Sequence, residues 1–258
     1  MTNIFCEKYK IKNYIVNDDG SIDVNGSVEL GGIGLKMIPV KFNKVTGDFS
    51  VNHNYLKNLR NLPNYIGGDF SCGYNKITTL KGFPKYVGGD IFLYDNKLTS
   101  LEGITDRIEK KLDIAKNLLT SLKGCPKWIG GYFLCNDNKL TSLEFSPEYV
   151  GSGFFCNNND LTDLVGSPKQ VDGIFFCSNN KKLINPKGCS EKMGDIISCF
   201  NTPLESIFDR VDQHFLHAFN FYKIIKDDTV NLKRLKYVMD LYDKPIDLDK
   251  IEKYYRLV

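Results

Sequence analysis

The stretch Gly67-Gly68-Asp69-Phe70-Ser71-Cys72, continued by Asn75, Ile77, Leu80, Gly82 and Pro84, decides the fold, because its positions return at a fixed step. Phe70-x-Cys72 recurs as Phe49-x-Val51, Ile91-x-Leu93, Leu112-x-Ile114, Phe133-x-Cys135, Phe154-x-Cys156, Phe175-x-Cys177 and Ile197-x-Cys199, and Val28-x-Leu30 fits one step earlier. The step is 21 residues, with one extra residue before the last copy. A fixed period of this size over most of a chain is the mark of a solenoid. An array of amphipathic helices is the competing reading, and 22 glycines and 9 prolines argue against it.

The rest of the unit repeats in register. Asparagine stands three residues after the second anchor, at Asn54, Asn75, Asn96, Asn117, Asn138, Asn159 and Asn180. Leu or Ile stands five and eight residues after it, as at Leu98 and Leu101, and prolines such as Pro63, Pro84 and Pro126 follow. The two anchors alternate with period two, which predicts a short inward-facing strand paired in parallel with that of the next coil. Each Asn is expected to turn inward and bond backbone groups that would otherwise be buried without partners. The leucines fill the core, and proline suits an extended or turning return segment because it has no N–H to satisfy. The Gly-Gly pairs are expected to permit a tight turn into the next strand. Asp48, Asp69 and Asp90 stack at one position, which suggests a solvated acidic edge, or else a cation held across coils.

Two coils depart from the unit. Around Asn179-Asn180-Lys181-Lys182-Leu183 one residue is added and Asn185-Pro186 takes the place of the second leucine, so a local bulge is expected. Arg107-Ile108-Glu109-Lys110-Lys111 lacks both the glycine pair and the preceding proline. Cys72, Cys135, Cys156, Cys177 and Cys199 occupy a position that Val, Leu or Ile fills elsewhere, so they read as small buried hydrophobes. A zinc ladder is disfavoured, because no second direction supplies His or Cys.

Both ends of a solenoid need covering. Tyr14-Ile15-Val16 and Ile22-Asp23-Val24 flank Asp19-Gly20, which predicts a hairpin over the first coil, with residues 1–12 leading in as an edge strand or loop. From Ile207 the spacing turns helical: Phe208 to about Lys226, then Leu232 to Tyr242, then a short helix capped by Asp247. The expected organisation is a capping segment over 1–27, a solenoid of about nine coils over 28–207 and a helical cap or small module over 208–258.

The composition excludes some roles. A net charge of +3 with cations and anions intermixed gives no basic face for nucleic acid. No run is long and apolar enough to span a membrane, and the start is not a secretory signal, so a cytoplasmic protein is expected. No glycine-rich phosphate loop, HExxH, GxSxG or CxxC is found, so neither an enzyme nor a cofactor or metal protein is expected. His214 and His217, three apart on a predicted helix, lack a third ligand. The outward strand positions are more informative. They are polar in the early coils and carry Phe92, Tyr94, Tyr132, Leu134, Phe155, Ile174, Phe176 and Phe200 later, with Ile196 at the same edge. An apolar stripe on an exposed sheet face reads as a protein-binding surface. Cover by the C-terminal cap or by a second copy is the alternative.

Phe133-x-Cys135-x-x-Asn138-x-Leu140-Thr141-Ser142-Leu143 resembles the leucine-rich repeats of bacterial secreted effectors, departing in its Phe and Cys anchors and in Gly130-Gly131. The unit beginning Gly67-Gly68-Asp69-Phe70-Ser71-Cys72 is more similar to repeats in proteins of large tailed bacteriophages, over residues 28–207. The resemblance implies a leucine-rich-repeat horseshoe or rod. For the phage group it implies action in the bacterial cytoplasm and no settled function; the stripe leads us to expect a non-enzymatic scaffold engaging a bacterial host protein, with a self-associating virion component as the alternative. The effectors' ubiquitin ligase domain does not carry over, because the C-terminal segment is far too short to hold it.

Overall fold

The computed structural model describes residues 2–190, 192–194, 197–207 and 211–258; Ile196 and Phe208 of the readings above lie outside them. The anchors form one nine-stranded parallel sheet, from Val28–Glu29 to Ile197–Ser198. Like faces like along it: Phe49 lies opposite Phe70, and Phe133 opposite Phe154. Nine strands bound eight turns, so the chain is a parallel β-solenoid. Its interior is continuous. Phe49, Phe70, Phe133, Phe154 and Phe175 are fully buried, and so are the leucines that follow them, such as Leu98 and Leu101. Neighbouring rings touch, with centroids 5.5 Å apart for Phe133 and Phe154 and 5.1 Å for Phe154 and Phe175.

The asparagines staple coil to coil, as expected. Asn96 Nδ2 donates to the carbonyls of Cys72 (2.9 Å) and Leu93 (3.1 Å), while its Oδ1 accepts from the Ile77 N–H (2.9 Å). Asn117 and Asn159 repeat the pattern, Oδ1 accepting from the N–H of Leu98 and of Leu140. The residue before each asparagine is left-handed, from His53 (φ 51°) through Tyr74 (φ 52°) and Lys116 (φ 54°) to Asn179 (φ 59°). That kink turns the chain off the strand, and it uses a conformation costly for most side chains.

The return segment is more ordered than its prolines suggest. It carries a second parallel ladder, formed by pairs such as Tyr65–Ile66, Tyr86–Val87, Trp128–Ile129 and Tyr149–Val150. The glycine pairs serve this close stacking and not a special turn. A Cβ on Gly67 would strike the Thr46 carbonyl, and one on Gly68 the Asp48 carboxylate. The acidic row is likewise structural. Asp48 Oδ1 accepts from the Asp69 N–H (2.8 Å), Asp69 Oδ1 from that of Asp90 (2.7 Å), and Asp90 Oδ1 from that of Lys111 (3.0 Å). The ladder is interrupted between Tyr86–Val87 and Arg107–Ile108, leaving two five-stranded sheets. There Glu109-Lys110 replaces both glycines. At Gly151-Ser152 and Asp172-Gly173 one glycine survives, and the pairing continues.

In the eighth coil the added residue is absorbed by a turn in which the Leu183 N–H donates to the Asn180 carbonyl (3.0 Å). Lys181 and Lys182 are pushed outward while Asn180 and Leu183 stay buried.

The ends differ from expectation in three ways. Residues 1–12, expected as an edge strand or loop, contain helix α1 (Thr2–Lys8), which buries Phe5 and Cys6 in the solenoid's core. A helix satisfies its own backbone while lending one apolar face to the open end. The hairpin of Tyr14–Val16 and Ile22–Val24 forms, but Ile22–Val24 then pairs in parallel with Phe42–Val45, so it extends the second sheet and not the first. The C-terminal cap is not purely helical. Between α2 (Gln213–Phe221) and α3 (Leu232–Leu241), the segment expected as a helix end and a break is a hairpin, Ile225–Lys226 with Thr229–Val230. After α4 (Leu248–Glu252), Arg256–Leu257 joins Thr229–Val230 in parallel. Asp212, Asn231 and Asp247 cap the three helices, each accepting from an N–H of its helix's first turn. The cap sits on the last coils: the Ile197 N–H donates to the Val211 carbonyl (3.1 Å), and the Tyr255 hydroxyl to that of Ile184 (2.8 Å). Among the described residues, no helix is long and apolar enough to cross a membrane.

Candidate functional site

Strand alternation places one residue per coil between two buried anchors, pointing out of the first sheet. Tyr132, Phe155 and Phe176 meet there in one run, with ring centroids 6.2 Å apart for the first pair and 5.8 Å for the second. Phe155 and Phe176 are half-buried, while Tyr132 is 50% and Ile174 41% exposed. Leu134 lies in register with Phe155 and continues the run toward the early coils. Gly153 makes the cluster compact: a Cβ there would stand 2.7 Å from the Phe155 ring and 3.2 Å from that of Tyr132.

Phe92 and Tyr94 form a separate cluster. Their rings are 6.4 Å apart; Tyr94 reaches Tyr74 (5.2 Å), which stacks on His53 (4.2 Å). The Lys111 ammonium sits 4.8 Å from the Phe92 ring centre. Burial, then the neighbouring Tyr74, pushes the Tyr94 hydroxyl above the usual phenol range. Asp113 divides the two clusters, in register between Phe92 and Leu134 and ion-paired with Lys111 (3.2 Å). Phe200 is exposed, and among the described residues no ring contact joins it to the run. The predicted stripe is therefore two patches and an outlier.

A second aromatic row went unread in the sequence. On the outer face of the second sheet, Tyr65 stacks on Tyr86 (4.9 Å) and Trp128 on Tyr149 (5.4 Å), with the Arg107 guanidinium 3.5 Å over the Trp128 ring. The signal was available, because each of these residues precedes the inward Ile or Val of its return segment. It becomes legible only once that segment is known to be a strand.

Burial pushes the Cys72 thiol up to about 12 and those of Cys135, Cys156 and Cys177 well above the ordinary range. A thiol held protonated is a poor nucleophile and a poor metal ligand. His214 and His217 are exposed along an open groove of about 600 Å³ beside Phe221 and Leu241. Among the described residues, no three His, Cys, Asp or Glu converge to hold a metal. The first sheet carries a contiguous aromatic run that is partly open to solvent. No family model, curated protein or solved structure matches this chain.

Proposed function

We propose that the chain is a non-enzymatic binding scaffold that holds a protein partner on Tyr132, Phe155 and Phe176, with Leu134 and Ile174 at the margin. The observation that carries this is the contiguity of the run on a face where Tyr132 and Ile174 stay open to solvent. Aromatic side chains on a rigid support supply large contact area at small entropic cost. We read the coils as leucine-rich repeats of the phage type, on the Asn-x-Leu-x-x-Leu spacing and the Gly-Gly-Asp-Phe-x-Cys unit. That reading makes a bacterial host protein the partner and the bacterial cytoplasm the setting.

The test is affinity capture from a bacterial lysate with the intact chain and with Phe155→Ser/Phe176→Ser side by side. Buried aromatic anchors are worth about 2 kcal/mol or more each, so the double variant is expected to weaken the captured complex at least about 100-fold. Its circular dichroism and melting should match the parent, since both rings are outside the core. A partner retained at full strength by the variant contradicts the assignment. Concentration-dependent self-association lost in the variant would instead make a second copy the occupant.

A further inference from the structure

The eighth coil leaves the repeat pattern where the chain opens a cleft against the cap. Two adjoining cavities, of about 330 and about 430 Å³, lie between the Asn185–Gly188 loop and the cap, sharing Asn185, Lys187, Lys223, Ile224 and Ile225. Four cations line them from four separate elements: Lys187 from the irregular coil, Lys223 after α2, Lys226 from the hairpin and Arg234 from α3. Among the described residues none of the four is in an ion pair, and Arg234 Nη1 donates to the Lys223 carbonyl (3.4 Å). Asp227 is the sole acidic side chain along the cleft, and its neighbour Asp228 is turned to Arg256 (3.0 Å). The accessible apolar part of the lining is the half-buried Ile225; Phe219 and Ile224 also line the cleft but are each only 1% exposed.

Four cations on one concave surface, against the single carboxylate of Asp227, give it net positive potential. A preformed cleft with a few polar groups and an apolar wall is the usual form of a small-ligand site. We infer that this cleft binds the phosphate groups of a small molecule whose remainder rests against Ile225. The oxygens of an anionic phosphate group would accept charge-assisted hydrogen bonds from Lys187, Lys223 and Arg234. This site lies apart from the aromatic face and does not depend on it.

Calorimetric titration of the full chain with pyrophosphate and with ATP tests the inference, at low salt and again at high salt. Both are expected to bind, ATP more tightly because its base can rest against Ile225, and both to weaken as salt rises. Lys223→Gln and Arg234→Gln should each weaken binding about tenfold, and Lys187→Gln/Lys223→Gln more, the loss expected for a charge-assisted hydrogen bond. Lys97→Gln, an exposed lysine on a regular coil, should change nothing. Melting without ligand checks that each variant folds. No heat from either ligand at about 10 mM, where even a millimolar site would fill, overturns the inference. So does binding that the cleft variants leave undiminished.

Discussion

Replacing Asn96 by leucine is expected to cost the solenoid about 2–3 kcal/mol, because it orphans the buried Ile77 N–H and takes one of two donors from the Cys72 and Leu93 carbonyls, which keep Asn75 and Asn117. The amide that is lost satisfies the Cys72 and Leu93 carbonyls and the Ile77 N–H together. Each buried group left without a partner costs about 1–3 kcal/mol, and the apolar transfer gained by leucine recovers only part of that. Aspartate keeps the acceptor but places an unpaired charge in the same site, so Asn96→Asp should do no better. The neighbouring exposed position is the control: Lys97→Leu should shift stability by no more than about 0.5 kcal/mol. Urea unfolding of the three variants measures this, and a cost below about 1 kcal/mol for Asn96→Leu would remove the staple from the account.

Alkali should unfold the protein steeply. Cys72, Cys135, Cys156 and Cys177 are fully buried, and burial holds their thiols above the ordinary value of 9.0. Below pH 9 folded and unfolded chains both keep these protons, and stability is undiminished. Above it the unfolded chain releases them while the folded chain does not. Stability then falls as pH rises, toward the value of about 12 reached by Cys72. Four such thiols lower stability by about 5 kcal/mol per pH unit, enough to consume a typical domain's stability within about two units. The Tyr255 hydroxyl, raised by its burial against the eighth coil, adds to the same trend. Valine occupies this strand position at Val51, so Cys135→Val/Cys156→Val is expected to lower the slope by about 3 kcal/mol per pH unit whatever it does to stability at neutral pH. Denaturant midpoints from pH 7 to 11 in reductant measure it, and an unchanged slope would show that these thiols ionise in the fold.

The repeat made the first sheet legible in detail, because its strand residues and its asparagines are marked by chemistry that leaves few alternatives. Phe70-x-Cys72 and Asn75 stand where the spacing put them. The second sheet was harder to see, since a two-residue strand such as Tyr65–Ile66 beside a proline has too few positions to show alternation. The reason for the glycine pairs was also hidden. It is an approach between coils 21 residues apart, which no local turn rule describes. The N-terminal helix escaped because a seven-residue segment with only Phe5 and Cys6 buried has little periodicity. Of the candidate site, the aromatic residues were legible one by one. Their division into two patches was not, because it depends on Asp113, polar yet 8% exposed, standing in register between them.

Residue-resolved hydrogen exchange tests the coil stack most directly. The N–H groups of Leu56, Ile77, Leu98, Leu119, Leu140 and Leu161 lie outside any strand or helix, and each donates to an asparagine of the next coil. In a stapled solenoid they are expected to exchange as slowly as the anchor strands, with protection approaching the global stability. Exchange at the rate of open loops, with only the strand amides protected, would contradict the stack.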